Sequence, residues 1–501
     1  MNRRNFLKSG SLLLLTSLLE QQLSQTRSQT DADPETPNVL ILVFDTLSAA
    51  HMSLHGYRRN TTPNIERFAR RATVFHSHYA GGNFTTPGTA SLLTGTYPWT
   101  HRAFNHTGTV ADAYHQRNLF SAFTQKPYYQ VAYTHNLLAQ VLLNNCGEAL
   151  DLHVPPHSFS LVAGEIGERL FPRDPDIATR GLDDLTLRHN DLPGSLFLSL
   201  GNRVRTRFLK TRSLQPYRAQ FPRGVPELFK MTFVLEEIID GIMSVLQQTP
   251  QPFLGYFHLL PPHEPYRPHR DFVGIFDDGW AMPPKDDGPF PGRFQTKRLQ
   301  QWHREYDEFI AYTDAHFGRL LDFLERSGRL DDTIVVFTSD HGQLFERGIH
   351  GHITQTLYDP VIRVPLLISQ PGQNSRVDIH TPTSCVDLIP TLLHLTNQPA
   401  VDWTEGQVLP LNGEPASSEE RPVFALEAKR NPKHAPLNRA TATLVRGQYK
   451  LVGYFGYGQN GSERYELFDL ANDPEERDDL YATRSSLAAE LRETLRRKVN
   501  I

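Results

Sequence analysis

Three residues in this chain stand where apolar runs stop, and their types suit a cation. VLILVF (39–44) runs into Asp45, and TIVVFTSDHG (333–342) closes on Asp340 and His341. Two carboxylates and one imidazole satisfy a hard-to-borderline divalent ion. A third run, PFLGYFHL (252–259), leads into PPHEPY with His263, and IHGHI supplies His350 and His352. An Asp-His pair alone says little; the arrival of these elements together indicates one metal-centred site.

The hydroxyl such a site would use lies in NFTTPGTASLLTGTYP (83–98). Pro87 suits the first helical position and Thr86 the N-cap. Leu92 and Leu93 supply a buried face, and Gly95 is the C′ stop. Thr85 is then expected just outside the positive end of a two-turn helix, which favours an anion or a developing alkoxide. The plainer reading makes both threonines capping residues.

These residues need a scaffold. The three apolar runs and VPLLIS (364–369) read as strands buried on both faces of a parallel sheet. Amphipathic segments lie between them, at 63–72, 225–248 and 302–327, the last carrying Phe309, Tyr312, Phe317, Leu320, Leu321 and Leu324 at helical spacing. Strands alternating with helices predict a parallel α/β sheet, with ligands beyond the carboxyl ends of its strands. His258 lies on a strand and reads as core or a supporting residue, while Asp314 and His316 inside the last amphipathic segment read as structural. No second set of ligands is evident, so one metal is expected. Residues 150–225 read as an insertion in which NRVRTRFLKTR (202–212) carries five basic groups, either a solvated face or a collar for an anion. Near residue 396 the character changes to a loop rich in Pro, Gly and Glu. VFALEA, ATATLVRG, YKLVGYFG and ELFDL then predict a small antiparallel sheet, closed by a helix over 485–498.

The 501 residues have an ordinary globular composition, 39% hydrophobic and 21% charged, and a net charge of −4 gives no reason to expect nucleic acid. Cys146 and Cys385 make neither a disulfide framework nor a zinc site; one pair and two buried thiols are both open. MNRRNFLKSGSLLLLTSLLEQQ places Arg3 and Arg4 before an apolar run too short to span a bilayer, which suits a signal. It resembles a twin-arginine export signal, so the export machinery is an expected partner. Residues 20–36 look like a polar tether. Periplasmic or extracellular placement follows, with peripheral membrane association at most.

The order VLILVFDTLSAAHMSLHGY, TTPNIERFARRATVFHSHYA, TTPGTASLLTGTYP, FHLLPPHEPY, IVVFTSDHGQLFERGIHGH, LYDPVIRVPLLIS resembles the sulfatase family of the alkaline-phosphatase superfamily, along residues 38 to about 395. The tail YKLVGYFG…ELFDLANDPEERDDL resembles that family's small C-terminal subdomain. The resemblance implies an α/β, alkaline-phosphatase-like sandwich with a mainly parallel central sheet and a small antiparallel subdomain. The expected division is a signal and tether over 1–36, a catalytic domain over 37–398 and a subdomain over 399–501. It also implies one divalent metal and a nucleophile at the helix mouth.

The departures from that family run in one direction. Sulfatases carry Cys or Ser, then x-Pro-Ser-Arg, and the Cys becomes formylglycine; here the string is Thr85-Thr86-Pro87-Gly88-Thr89. The family's second Asp is Thr46, and its usual Asp-Asn pair is Asp340-His341. These changes resemble the threonine-nucleophile relatives, among them phosphoethanolamine transferases and lipoteichoic-acid-synthase-like enzymes. By that resemblance Asp45, Thr85, Asp340 and His341 would ligate the metal, Thr85, His263 and His352 would act on the ester, and His263, His350 and His352 would bind it. An imidazole ligand favours Mn²⁺ or Zn²⁺ over Ca²⁺ or Mg²⁺. The expected substrate is an anionic ester of phosphate type, a diester or phosphonate. A sulfuric ester hydrolase working without formylglycine, and an inactive binder of an anionic glycan or lipid headgroup, are the alternatives.

Overall fold

The structure, a computed structural model, describes residues 36–124, 128–161, 204, 207–208, 210–228, 231–411, 421–458 and 463–499. The signal, and Arg203 and Arg205 of the basic stretch 202–212, lie outside the described residues. Residues 37–501 form one compact unit.

In chain order the elements that position the site are β1 (Asn38–Phe44), α1 (Pro63–Ala69), β2 (Thr73–Phe75), α2 (Thr85–Thr94), β3 (Tyr129–Thr134), α3 (Leu137–Cys146), β4 (Leu152–Val154), α4 (Leu235–Gln248), β5 (Phe253–Leu259), α5 (Thr296–Arg326), β6 (Thr333–Thr338), β7 (Leu366–Ser369), β8 (Val377–Ile379) and α6 (Leu388–Leu395). The eight strands make one sheet in the order β8-β2-β7-β6-β1-β5-β3-β4. β1 pairs in parallel with both β5 and β6 and is buried along its whole length. That is why its sequence is uniformly apolar rather than alternating. Its side chains divide between two layers. Val39, Ile41 and Val43 join a core with Leu92 and Leu93 of α2, Leu142 of α3 and Leu392 of α6. On the other face Phe44 meets Phe317 of α5 edge to face, with ring centroids 6.3 Å apart.

The central sheet is mainly parallel, as the sequence predicts, but β7 runs antiparallel to both β6 and β2. Direction is invisible in an apolar run as short as LLIS, because a strand buried on both faces reads alike either way. Two helix boundaries also move. The described residues between 225 and 234 are not helical: Glu227–Leu228 and Met231–Thr232 form a small antiparallel pair, after Pro226, and α4 begins at Leu235. α5 begins six residues before the expected Trp302, on a run of good helix formers, KRLQQ.

The C-terminal strands β9 (Val423–Glu427), β10 (Ala440–Arg446), β11 (Tyr449–Phe455) and β12 (Arg464–Asp469) make an antiparallel meander, with α7 (Ser485–Val499) beside it. Its apolar face, including Phe424, Leu444 and Leu451, joins the same core as β1. A buried ion network ties it to the large sheet. Lys450 of β11 lies 2.8 Å from Asp359 and 2.7 Å from Glu476, and all three side chains are buried. Removing one partner would strand an uncompensated charge, a loss of about 3–5 kcal/mol. Cys146 and Cys385 are free, buried thiols.

Candidate active site

Four adjacent strands deliver side chains to one point past their carboxyl ends. β6 hands on to Asp340 and His341, β1 to Asp45, β5 carries His258 next to its last residue and leads to His263, and β3 hands on to His135 and Asn136. α2 enters from the side with Thr85 in its first turn.

The helix starts earlier than the sequence suggests. Phe84 is the N-cap and Thr85 the first helical residue, so Pro87 sits two positions further in than expected. Pro87 is tolerated there because none of the first four N–H groups has an intrahelical partner. Neither threonine caps the helix: Thr86 donates its hydroxyl hydrogen bond to the His106 carbonyl at 2.7 Å. The Thr85 hydroxyl is thereby left for the site. Gly95 closes the helix in the left-handed conformation, φ 67°, as expected. Gly88 has a separate cause: a Cβ there would lie 2.1 Å from the Asp340 carbonyl oxygen. Only a glycine lets α2 approach the Asp340 backbone so closely.

Asp45, Asp340 and His341 offer one donor atom each, all within 4.8 Å of one another and all buried. His341 Nε2 lies 3.3 Å from Asp45 Oδ1, 3.7 Å from Asp340 Oδ2 and 3.4 Å from Thr85 Oγ1. Its Nδ1–H donates to the Gly342 carbonyl at 3.0 Å, which leaves Nε2 as the inward atom. His258 also belongs here, with Nε2 3.6 Å from Asp340 Oδ2 and 4.0 Å from Asp45 Oδ2. Sequence reasoning assigned it to the core or to a supporting role.

Asn136 was not anticipated at all. Its amide donates to Asp45 Oδ2 and, at 3.3 Å, to Thr85 Oγ1, while its Oδ1 caps α3 by accepting from Leu138 N at 2.8 Å. The available signal was a side chain that suits an N-cap, between the strand-like YQVAYT and the apolar LLAQVLL. Thr89, where the family has Arg, donates to Asp340 Oδ2 at 3.3 Å. Thr46, where the family has a second Asp, adopts φ 63°, a strained choice for a β-branched residue. Its carbonyl is held by the Tyr306 hydroxyl, and its own hydroxyl has no hydrogen-bond partner.

The electrostatics call for a cation. Burial raises the Asp340 carboxyl, and the Asp45 charge raises it further. Burial alone would raise Asp45 too, yet the imidazoles of His263, His341 and His258 pull it down to about 2. Burial would lower His341, but Asp340 and Asp45 hold it up to about 9. Asp45 Oδ1 and His258 Nε2 are buried without any hydrogen-bond partner. A donor set of two carboxylates, an imidazole and a hydroxyl, with a carboxylate oxygen unsatisfied, fits a divalent ion.

His352 faces this cluster, its ring 4.5 Å from that of His341 and 4.9 Å from that of His263. Burial, then the neighbouring imidazoles, keep it neutral by lowering it well below the usual histidine range. Gln343 fixes its tautomer. The Gln343 amide donates to Tyr266 at 2.6 Å, so its Oε1 accepts from His352 Nδ1 at 2.7 Å and Nε2 carries the lone pair. His263 is oriented alike, Nδ1–H donating to the Glu264 carbonyl at 2.7 Å. His350 is not brought in, contrary to its expected substrate role. It stacks on Trp302 at 4.2 Å between centroids and pairs with Glu264 at 3.5 Å. Gly351, φ 110°, turns the chain between the two histidines, which sends their rings different ways. Asp314 is structural: it accepts from the backbone N–H groups of Asn64 and Ile65 at the start of α1.

The sulfatase family model matches residues 37–398, and a model for the C-terminal region of N-sulphoglucosamine sulphohydrolase matches 348–500. The chain belongs to the sulfatase family and is a hydrolase of that family. It is 24% identical to a choline-sulfatase of Rhizobium meliloti, across 87% of this chain and 81% of that one. Bovine arylsulfatase K is 31% identical, but over 42% of this chain and 38% of the bovine enzyme. Among solved structures, phosphonate monoester hydrolase of Agrobacterium radiobacter superposes with a TM-score of 0.66 at 20% identity, covering 92% of this chain and 96% of that one. A structure in complex with its substrate D-glucosamine-2-N,6-O-disulfate gives 0.64 at 17% identity, covering 93% and 98%. Family members use a divalent metal, and the Asp45 cluster is a candidate place for it. Among the described residues no helix is long and apolar enough to cross a membrane.

Proposed function

We propose that this hydrolase cleaves or transfers a phosphate-type ester, a diester or a phosphonate monoester, through an unmodified Thr85. The observation that carries this is the placement of the Thr85 hydroxyl. It sits in the first turn of α2, within 3.4 Å of Asn136 and His341, in the position the family gives to its nucleophile. No cysteine occupies that stretch.

A divalent ion held by Asp45, Asp340, His341 and Thr85 would supply Lewis acidity and lower the pKa of the hydroxyl; Mn²⁺ or Zn²⁺ suits the imidazole better than Ca²⁺ or Mg²⁺. Thr85 loses its proton to solvent, and its Oγ attacks phosphorus in line. The Oγ–P bond forms and the P–O bond to the alcohol breaks. His263, after taking a proton from solvent on Nε2, gives that proton to the departing oxygen, while its Nδ1–H stays on the Glu264 carbonyl. His352, neutral with Nε2 as acceptor, takes a proton from the water or alcohol that next attacks phosphorus and frees Thr85. Asn136 holds Thr85 and Asp45 in register throughout. A sulfated threonine has no such easy exit, because it cannot eliminate as a hydrated aldehyde does.

The test is a panel of aryl sulfate, phosphate diester, phosphate monoester and phosphonate monoester. kcat/KM for a diester or phosphonate should exceed that for aryl sulfate by at least about tenfold, roughly 1.4 kcal/mol. Thr85→Ala should remove all activity and Thr85→Ser keep a fraction. Faster turnover of aryl sulfate than of every phosphorus ester, or an active Thr85→Ala, would refute the proposal. Residues 1–36 belong to the same reading as an export signal: Arg3→Lys with Arg4→Lys should hold folded protein in the cytoplasm, and unimpaired export of that variant would exclude it.

A further inference from the structure

A second histidine–carboxylate group lies outside the active site. His51 follows β1, and His303 and Asp307 lie one turn apart on α5; all three are buried. His303 Nε2 is 3.0 Å from His51 Nδ1 and 3.8 Å from Asp307 Oδ1, and His51 Nδ1 is 3.5 Å from that same oxygen. The point equidistant from the corners of this triangle lies about 2.0 Å from each, the length of a zinc bond to imidazole nitrogen or carboxylate oxygen. Asp307 Oδ1 is buried, faces the two nitrogens and has no hydrogen-bond partner.

The surroundings hold the carboxylate in a one-oxygen pose. Its other oxygen, Oδ2, accepts from Tyr57 at 2.6 Å and from Arg59 at 2.9 Å. Outer hydrogen bonds of this kind orient ligating groups. Arg59 does not cancel the negative charge, because it also holds Asp278 at 2.8 and 3.1 Å. A cavity of about 280 Å³ has His303 on its wall, together with Glu346 and Lys285.

We propose that His51, His303 and Asp307 bind a structural zinc ion, separate from the active-site metal. The ion pins α5 to the segment after β1. Tyr306, between two of the ligands in sequence, receives the Ser48 N–H at 3.1 Å and donates to the Thr46 carbonyl beside Asp45. The site therefore braces the loop that carries Asp45 without touching substrate.

The experiment counts metal and needs no substrate, so its outcome is independent of the activity proposed above. Full-length Asp340→Asn protein, impaired at the active-site cluster, is purified and analysed by mass spectrometry of its metals. About one equivalent of zinc per chain is expected, and it should vanish when His303→Gln is added. His303→Cys in the same background, which keeps a zinc ligand, should retain it, which guards against simple misfolding. Co²⁺ added to the chelated Asp340→Asn protein should give the visible bands of four-coordinate cobalt, lost with His303→Gln. If folded Asp340→Asn protein binds no zinc, or binds it equally well with His303→Gln, the three residues share protons only and the proposal is overturned.

Discussion

The two buried clusters, Asp45–Asp340–His341 and His51–His303–Asp307, use the same kinds of side chain and differ in how the chain assembles them. The first draws on the loops after two neighbouring strands, β1 and β6, and it gathers two carboxylates. The second takes two of its three members from a single turn of α5, and its one carboxylate is shared with Arg59. The two carboxylates of the first shift in opposite directions: burial and then the Asp45 charge raise Asp340, while the imidazoles of His263, His341 and His258 outweigh burial at Asp45 and lower it. The second has a single carboxylate at its centre, flanked by two imidazoles and by an Arg59 that it shares with Asp278. Two adjacent buried carboxylates set the first cluster apart, whereas the second gathers its single carboxylate with two imidazoles on and beside one helix face.

The sharpest way to break this comparison is to remove one member from each. Asp340→Asn should lower kcat by at least about 10²-fold, the scale of losing a principal electrostatic partner. It should not lower the melting temperature of the chelated protein, since it relieves repulsion between two buried carboxylates. His303→Gln should do the reverse, lowering the melting temperature clearly while costing activity less than about tenfold. Calorimetry and steady-state rates on the two variants check both halves. A large rate loss in His303→Gln with no thermal effect would erase the distinction.

The first cluster was legible in the sequence because each member stands where an apolar run stops. Asp45, Asp340 and His341 needed only the rule that ligands gather beyond the carboxyl ends of parallel strands. Asn136 and His258 were not read this way. Asn136 follows a strand whose YQVAYT pattern mixes polar and apolar residues, so its end is weakly marked, and His258 lies within the run itself. The second cluster was illegible for another reason. His303 and Asp307, four residues apart on an amphipathic helix, look like its polar face, and nothing local says that His51, some 250 positions earlier, will cover them. The α/β architecture was readable from apolar runs alternating with helical spacing; the antiparallel course of β7 was not.

A finer test divides the histidines of IHGHI. His352 is buried against His341 and His263, whereas His350 stacks on Trp302. His352→Ala should lower kcat about 10²-fold, in the range general acid–base groups contribute. His350→Ala should change it less than about threefold. Equal losses would mean that the Gly351 turn does not separate their roles, and that the His350 ring reaches the substrate after all.

The smallest expected effect concerns histidines in neither cluster. His78 and His101 are buried, and burial lowers each to about 3, far below the ordinary 6.5. His78 is paired with Thr383 at 2.9 Å; His101 accepts from Ala103 N at 3.0 Å and so donates from Nε2 to Ser91. Neither environment offers a carboxylate to welcome a proton. Between pH 6.5 and 3 the unfolded chain binds these protons and the folded chain does not. The unfolded state thus gains on acidification, and stability falls as pH falls, by about 1.4 kcal/mol per pH unit for each such histidine well inside that window. His341 has the opposite sign, being held up to about 9, so it adds no acid lability. Urea unfolding at several pH values between 6 and 4 should show a shallower slope for His101→Gln, by about one proton, whatever its stability at neutral pH. If His101→Gln keeps the full acid slope, the buried neutral histidine is not what the folded chain loses to in acid.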